Sequence, residues 1–279
     1  MFSSVTDLQV TQLIIYPVKG LAGQQLPVAD VLERGLAWDR RWMLVDDNDQ
    51  FLSQRQIPDL ATIEACITGP EMLLRHRPTE AKMRLSLREP EPTQKIGVTI
   101  WRDQVEAVVI SAATQWFSDI LQHSCRLVFM PDSSRRGINP AFARSGEIVG
   151  FADAYPMLLV GEASLFELNA RLAVPVPMNR FRPNIVVSTK EPFIEDQWGE
   201  LEIGSATLRG VKASDRCSVP TVDQATGKPV GPEPIRTLNQ FRRVGRGIYF
   251  GQNLAIVRPG RIALKDPVIV KARISAVYA

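Results

Sequence analysis

The chain is 279 residues long, carries a net charge of +3, and is 45% hydrophobic. This length suits one large domain or two small ones, and the apolar content is enough for a buried core. The near-neutral charge argues against a dedicated nucleic-acid binder. No apolar run reaches the roughly 18 residues of a membrane span. With no signal-peptide pattern and only three cysteines, we expect a cytoplasmic protein without disulfides.

The first 110 residues are predicted to form short β-strands separated by turns. Acidic, Gly-Pro and Arg-Asp stretches supply the turns between successive apolar or alternating runs. The predicted strands lie at residues 9–18, 41–45, 51–54, 62–68, 72–76, 83–88, 96–101 and 105–110. Strands of this length and spacing indicate a barrel or a sandwich.

Helices are predicted at three later points of the chain. Ser111 is a good N-cap for the first, which carries an apolar stripe that includes Trp116 and Phe117. The others cover residues 162–172 and 235–242. Strands are predicted at 127–130, 157–160, 185–188, 201–203, 207–211, 247–257 and 268–272, and residues 131–150 are predicted to form a loop with freedom to move.

Cys217 stands in the polar, turn-rich stretch Ser214-Asp215-Arg216-Cys217. A thiol beside a cation is more readily ionised, and the thiolate is both the nucleophile and the metal ligand. The alternative is a partly buried structural cysteine, because free cysteines are among the most buried residues. Cys66 and Cys125 lie in apolar surroundings and are predicted to be core cysteines.

Several blocks of the chain together carry a family resemblance. They are Tyr-Pro-Val-Lys-Gly at 16–20, Trp-Asp-Arg-Arg-Trp at 38–42, Phe-Arg-Pro-Asn at 181–184, the Cys217 stretch, and Phe-Gly-Gln-Asn-Leu at 250–254. In this order they resemble the MOSC family of molybdenum-cofactor proteins. The likeness is to the branch with an N-terminal β-barrel domain, which includes reductases of N-hydroxylated compounds. It runs from about Gln12 to about Val270.

The resemblance implies a fold that is mainly β with some α. An N-terminal β-barrel-like domain, residues 7–130, would pack on a C-terminal MOSC β-barrel, residues 131–275. The cofactor cleft would lie between the two, so that both halves contribute residues to one pocket.

The resemblance also implies roles for individual residues. Cys217 would ligate molybdenum, and Asp153 would lie close to the metal as a second catalytic residue. The cofactor-binding residues would be Lys19, Gly20, Arg40, Arg182, Asn184 and Arg216. Arginine suits the cofactor's phosphate because its planar fork donates two hydrogen bonds at once, and thiolate sulfur suits molybdenum. Without the resemblance, Arg40 and Lys19 would be interpreted as exposed ends of strands.

The chain departs from the family pattern at four positions. Ala154 and Tyr155 stand where the reductase branch has small hydroxyl residues, and Gly20 stands where some relatives have serine. Asp215 replaces a serine two residues before the cysteine. That change adds negative charge near the site, which would disfavour ionisation of the thiol or repel an anionic substrate.

The function implied is a molybdenum-cofactor oxidoreductase that reduces small N-hydroxylated substrates. A plant-type iron–sulfur cluster needs four thiolates, and the chain has three cysteines with none after Cys217, so we expect no such cluster in it. Electrons would come from a separate ferredoxin- or flavoprotein-type donor, steered by the basic stretches 242–246 or 135–136. Two alternatives stay open: a sulfur- or cofactor-handling protein that uses Cys217 as its carrier, and a cofactor-binding module of a larger complex.

Overall fold

The computed structural model describes residues 8–88 and 95–276, and short strands dominate it. In the first half of the chain they are β1 (Val10–Ile15), β2 (Gln24–Gln25), β3 (Val28–Leu32), β4 (Gly35–Leu36), β5 (Trp42–Val45), β6 (Ile63–Thr68), β7 (Glu71–His76), β8 (Lys82–Ser86), β9 (Lys95–Ile100), β10 (Asp103–Val109) and β11 (Arg126–Phe129). In the second half they are β12 (Met157–Gly161), β13 (Ile185–Val187), β14 (Trp198–Ile203), β15 (Ala206–Asp215), β16 (Val222–Asp223), β17 (Lys228–Pro229), β18 (Arg243–Val244), β19 (Gly247–Arg258), β20 (Gly260–Ala263) and β21 (Val268–Arg273). The α-helices are α1 (Ser111–Leu121), α2 (Glu162–Asn169) and α3 (Ile235–Phe241).

The largest sheet has the strand order β2-β1-β13-β12-β19-β15-β14-β21, with β18 paired to β19. Smaller sheets have the orders β5-β11-β10-β9, β6-β7-β8, β20-β3-β4 and β16-β17. The prediction of a mainly β fold with some α is confirmed.

The placement of β1 explains how distant parts of the chain meet. It pairs antiparallel with β13, with Leu13 opposite Ile185. The segment that follows β1 and the segment that precedes β13 therefore leave the sheet at the same end. Because β12 runs parallel to β13, with Leu159 opposite Ile185, the segment before β12 also leaves there. Residues 16–20, 153–156 and 180–184 therefore lie together at this end of the strands.

Separate apolar clusters support the two regions of the molecule. One lies within the large sheet and includes Leu13, Ile185 and the fully buried Trp198. Another lies under α1, whose buried face carries Ala113 and Phe117 against the strands of the first half. Truncating a buried aromatic such as Phe117 to alanine would cost about 3–5 kcal/mol.

Most predicted elements are present, but several details were wrong. Residues 51–54 form no strand: Phe51 makes one bridge to Val45, and the partner of β5 is β11. Ser111 does not cap α1, because it is the first helical residue and Ile110 precedes it with no side-chain cap. The second helix ends at Asn169 rather than at residue 172. The pairs β3–β4 and β3–β20 were not predicted.

The stretch 131–150 contains no helix or strand, as predicted, apart from a single bridge between Gly137 and Ile148. The mobility predicted for it, and the domain boundary at residue 130, stay predictions. No helix in the described part of the chain combines the length and apolar character needed to cross a membrane.

Candidate active site

A single cleft brings together all eight residues predicted for the site. Its open volume is about 1150 Å³, including solvent at the mouth. The eight are Lys19, Gly20, Arg40, Asp153, Arg182, Asn184, Arg216 and Cys217. They come from both halves of the chain, as predicted for one shared pocket. Their convergence is an observation, whereas the roles assigned to them stay predictions.

Two arginines in the cleft share one aromatic ring. The guanidinium carbons of Arg40 and Arg182 each lie 4.2 Å from the centroid of the Tyr16 ring. Arg40 also donates to both oxygens of Asp39, at 2.8 and 2.7 Å. Arg182 has no carboxylate partner within the described residues, and burial lowers its pKa to about 10. Burial likewise raises the pKa of Tyr16 to about 12, so the ring stays neutral.

Both arginines have a left-handed backbone, with φ of 46° at Arg40 and 57° at Arg182. That conformation is uncommon for residues other than glycine and costs about 1–2 kcal/mol. Two such positions within one cleft indicate a functional constraint. The neighbouring Gly20, with φ of 87°, is a glycine for the same conformational reason.

Asn184 ties the floor of the cleft together. Its side-chain oxygen accepts hydrogen bonds from Arg40 at 3.0 Å and from the Leu158 N–H at 3.2 Å. Its side-chain nitrogen donates to the carbonyl of Ile14 at 3.0 Å. The side chain is almost fully buried, so these bonds satisfy it. Asn184 therefore positions Arg40, and it leaves little capacity for direct contact with a ligand.

Asp153 and Lys19 form an ion pair at the wall of the cleft. Lys19 is buried and also donates to the carbonyl of Phe151 at 3.0 Å. Oδ1 of Asp153 accepts from Lys19 and from the indole N–H of Trp101, at 3.2 Å. Partial desolvation at the cleft wall would raise the pKa of the Asp153 carboxyl, although its side chain stays exposed to the cleft, but Lys19 and Trp101 hold that pKa well below its usual value. Asp153 is therefore a carboxylate at neutral pH, and burial lowers the pKa of Lys19.

Arg136 fixes the backbone that carries Asp153. It donates to the carbonyls of Gly150, Ala152 and Asp153 at 2.9, 2.6 and 2.9 Å. Its Nε donates to Asp103 at 2.7 Å. This residue was predicted to steer an electron donor, and that prediction was wrong because its side chain is buried and fully engaged.

Cys217 follows β15 and precedes a short helical turn at Val219–Thr221. It is a half-buried free thiol, whereas Cys125 is buried in the core, as predicted, and Cys66 is half-buried. The adjacent Arg216 donates to the Phe181 carbonyl at 3.0 Å and to Ser214 at 3.2 Å. Burial lowers the pKa of Arg216, and its buried Nε has no hydrogen-bond partner in the described part of the chain.

The mouth of the cleft carries a cluster that sequence reasoning missed. Phe51 and Trp101 pack with ring centroids 5.1 Å apart, and the guanidinium of Arg55 lies 4.5 Å from Trp101 and 5.9 Å from Phe51. Trp101 was predicted to end a strand, but it lies in the β9–β10 turn with φ of 58° and is 43% exposed. A signal existed in the sequence: a large aromatic beside a polar turn.

The departures from the family pattern have distinct outcomes. Ala154 and Tyr155 both line the cleft, and Tyr155 is buried against Ile138 and Val149. Asp215 also lines it, and its Oδ1 accepts from the Ile248 N–H at 3.1 Å.

Of the other basic residues predicted to steer an electron donor, Arg242 is buried and paired with Asp196.

The residue set fits a molybdenum cofactor. Six cations and two carboxylates line the cleft, which favours an anionic ligand such as a phosphate-bearing pterin. The cations are Lys19, Arg40, Arg55, Arg182, Lys212 and Arg216. No group of three or more His, Cys, Asp or Glu within residues 8–88 and 95–276 could hold a metal ion. A metal at Cys217 would therefore take its other ligands from a cofactor, as a dithiolene-held metal does.

Comparison with known proteins identifies the class. Residues 7–124 match the family described as "MOSC N-terminal beta barrel domain", and residues 146–269 match the family described as "MOSC domain". The chain belongs to the MOSC-domain proteins, in the branch with the N-terminal domain, so the family resemblance and the MOSC β-barrel architecture are confirmed.

Individual proteins of this family are similar to the chain over most of its length. The mitochondrial amidoxime-reducing component 1 of Mus musculus is 33% identical over 93% of this chain and 81% of its own length. The Homo sapiens protein of that name is 32% identical over 93% and 82%. The molybdenum cofactor sulfurase of Oryza sativa subsp. japonica is 30% identical over 89% of this chain but only 32% of its own length.

Proposed function

We propose that this protein is a molybdenum-cofactor oxidoreductase that reduces small N-hydroxylated compounds with electrons from a separate donor. One observation carries the proposal: the Cys217 thiol and the Arg40–Arg182 pair line the same cation-rich cleft. The similarity to amidoxime-reducing components over most of the chain supports the choice of substrate class. A cytoplasmic location suits three cysteines without a disulfide.

The arginines would bind the cofactor's anionic end. Within residues 8–88 and 95–276, Arg182 has donors left over after its weak 3.4 Å bond to Gln224, and the Nε of Arg216 has no partner. Arg40 is engaged with Asp39 and Asn184, so its contribution is mainly charge. Cys217 would ligate the metal. When bound, the cofactor supplies the redox centre from which electrons pass to the substrate.

Asp153 would orient the substrate rather than donate a proton to it. Its lowered pKa keeps it ionised, and Oδ1 already accepts from Lys19 and Trp101. Oδ2 has no hydrogen bond among the described residues, and the side chain is 63% exposed to the cleft. We assign Oδ2 as the acceptor for an N–H or O–H of the substrate.

The overall reaction breaks the N–O bond of the substrate. The substrate takes up two electrons and two protons. A new N–H bond replaces the N–O bond, and the oxygen leaves as water. The two electrons come from the separate donor: either two reduced ferredoxins or one fully reduced flavoprotein is oxidised for each substrate molecule. Solvent supplies the two protons overall, and Asp153 is not their immediate donor because it is held as a carboxylate.

A second candidate is a sulfur- or cofactor-handling protein in which Cys217 carries sulfur. The half-exposed thiol and the similarity to a molybdenum cofactor sulfurase favour it. That relative is about three times longer than the stretch it shares with this chain, so the similarity covers a minority of it.

Metal analysis followed by an activity assay separates the two candidates. Protein from a host that makes the cofactor is analysed for molybdenum and for labile sulfur, then assayed for reduction of an amidoxime with an artificial electron donor. Stoichiometric molybdenum with turnover supports the reductase. Metal-free protein that carries a persulfide and gives no turnover contradicts it and supports sulfur handling.

A further inference from the structure

Arg55 is a cation at the mouth of the cleft with its hydrogen-bonding capacity unused. Its side chain makes no ion pair or hydrogen bond to any residue that the structure describes. The cleft is lined by six cations and only two carboxylates, so carboxylate partners are scarce there. Two aromatic rings, Trp101 at 4.5 Å and Phe51 at 5.9 Å, hold the guanidinium in place. Such packing pre-orders the guanidinium while leaving its fork of donors free.

Trp101 is itself fixed by its surroundings. Its indole N–H donates to Asp153 at 3.2 Å, its ring packs on Phe51, and it lies in a tight turn. It is nevertheless 43% exposed, although a large aromatic normally gains by burial. An ordered, exposed aromatic surface beside a free guanidinium is suited to a planar ligand that carries an acidic group.

We propose that Arg55, with Trp101 and Phe51, forms an anion-selective subsite at the cleft mouth. It would take the carboxylate or phosphate of an aromatic substrate, while the N-hydroxylated end of that substrate faces Asp153 and Cys217. The inference rests on the proposed reductase function and names the kind of substrate that the reductase prefers.

Two other anions compete for Arg55, and the geometry disfavours the first of them, the cofactor phosphate. The cofactor phosphate has the more buried Arg182 and Arg216, each with unused donors. The acidic face of a donor protein is the other competitor, because Arg55 is exposed as well as packed on its two rings, and a comparison of a protein donor with a small-molecule electron source separates it from the subsite.

The test compares two substrates that differ by one charge, 4-carboxybenzamidoxime and benzamidoxime, with reduced methyl viologen as the electron source. Arg55→Gln should lower the ratio of their kcat/KM values about tenfold, the size of one lost charge-assisted hydrogen bond. Lys212→Gln removes another cation from the cleft wall, one with no ion pair among the described residues, and should lower the ratio much less. Arg258→Gln, at an exposed arginine outside the cleft, should leave it unchanged.

An unchanged ratio in Arg55→Gln would overturn the subsite, as would equal falls in Arg55→Gln and Lys212→Gln, which would indicate a general field effect. A loss of turnover seen only with a protein donor would assign Arg55 to donor docking and overturn it too.

Binding supplies a readout that does not depend on turnover. Calorimetry with 4-amidinobenzoate and benzamidine should show Arg55→Gln weakening the first relative to the second. If wild-type protein reduces neither amidoxime but this discrimination persists, the reductase proposal fails and the subsite stands. If wild-type protein reduces both amidoximes and Arg55→Gln leaves the binding preference unchanged, the subsite fails alone.

Discussion

Arg40 and Arg182 stack on one ring, each with its guanidinium carbon 4.2 Å from the centroid of Tyr16. A cation over a buried ring gains about 2 kcal/mol. Two cations on one ring also repel each other, and the charge of Arg40 adds to burial in lowering the pKa of Arg182. Asp39 neutralises Arg40 but not Arg182. The pair therefore holds excess positive charge that a bound anion would offset.

The first prediction follows from that charge. Arg182→Ala should yield protein largely depleted of molybdenum, because each charge-assisted hydrogen bond to the cofactor is worth about 1.5–3 kcal/mol. Arg182→Lys should recover part of the occupancy, since it keeps the charge but loses the fork. Metal content per protein chain is the measurement. Tyr16→Phe, which keeps the ring, is the control and should retain the metal; full occupancy in Arg182→Ala would refute the role.

The second prediction separates the metal-ligand role of Cys217 from a packing role. Cys217→Ala should abolish amidoxime reduction and change the free energy of unfolding by less than about 1 kcal/mol, because the residue is half-exposed. Cys125→Ala is the matched control. That cysteine is buried, so its loss should cost about 1–3 kcal/mol and leave activity intact. Urea unfolding and turnover decide, and the reverse pattern would make Cys217 structural.

The blocks that carried the family resemblance supplied residues that do meet in one cleft, while the roles assigned to those residues stay predictions. Lys19, Arg40, Arg182 and Cys217 are separated by up to 198 positions in the chain. Pairing of β1 with β13 brings Lys19 and Arg182 together, and Arg40 is held beside them by its backbone N–H, which donates to the Tyr16 carbonyl at 2.8 Å. Periodicity also predicted most strands, because alternating burial is a local property of the sequence.

Features that depend on tertiary packing could not be predicted in this way. Gln54 and Gln224 lie 170 residues apart and exchange hydrogen bonds of 3.1 and 2.8 Å, and Gln224 also accepts a 3.4 Å bond from Arg182. Neither belongs to a motif. Trp101 lies in a turn and not at the end of a strand, because β9 and β10 pair with Ile100 opposite Asp103. The register of the two strands, not residue preference, sets where the turn falls. Arg136 and Arg242 looked exposed because burial of a paired arginine leaves no local signal.

The third prediction concerns pH. Lys19 holds the pKa of Asp153 well below its unfolded value of about 3.9. A carboxyl with a depressed folded pKa adds stability above that unfolded value and loses it as pH falls further. Asp153→Asn should therefore be less stable than wild type at pH 7, and the difference should shrink below about pH 4. Chemical unfolding across this range measures it, and a constant difference would exclude the ion pair as the cause.

The fourth prediction tests the backbone at Gly20, where some relatives have serine. With φ of 87°, a side chain there is strained, and its Cβ would lie 3.3 Å from Leu60. Gly20→Ser should lower the free energy of unfolding by about 1–2 kcal/mol. Gly146→Ser, at φ of 84° with open space, should show the strain alone, and Gly137→Ser, unstrained and open, should cost less than about 0.5 kcal/mol. Urea titration of the three variants ranks their stabilities. Equal stability of Gly20→Ser and Gly137→Ser would mean that the backbone at residue 20 adapts without strain. Serine would then fit the cleft of this chain.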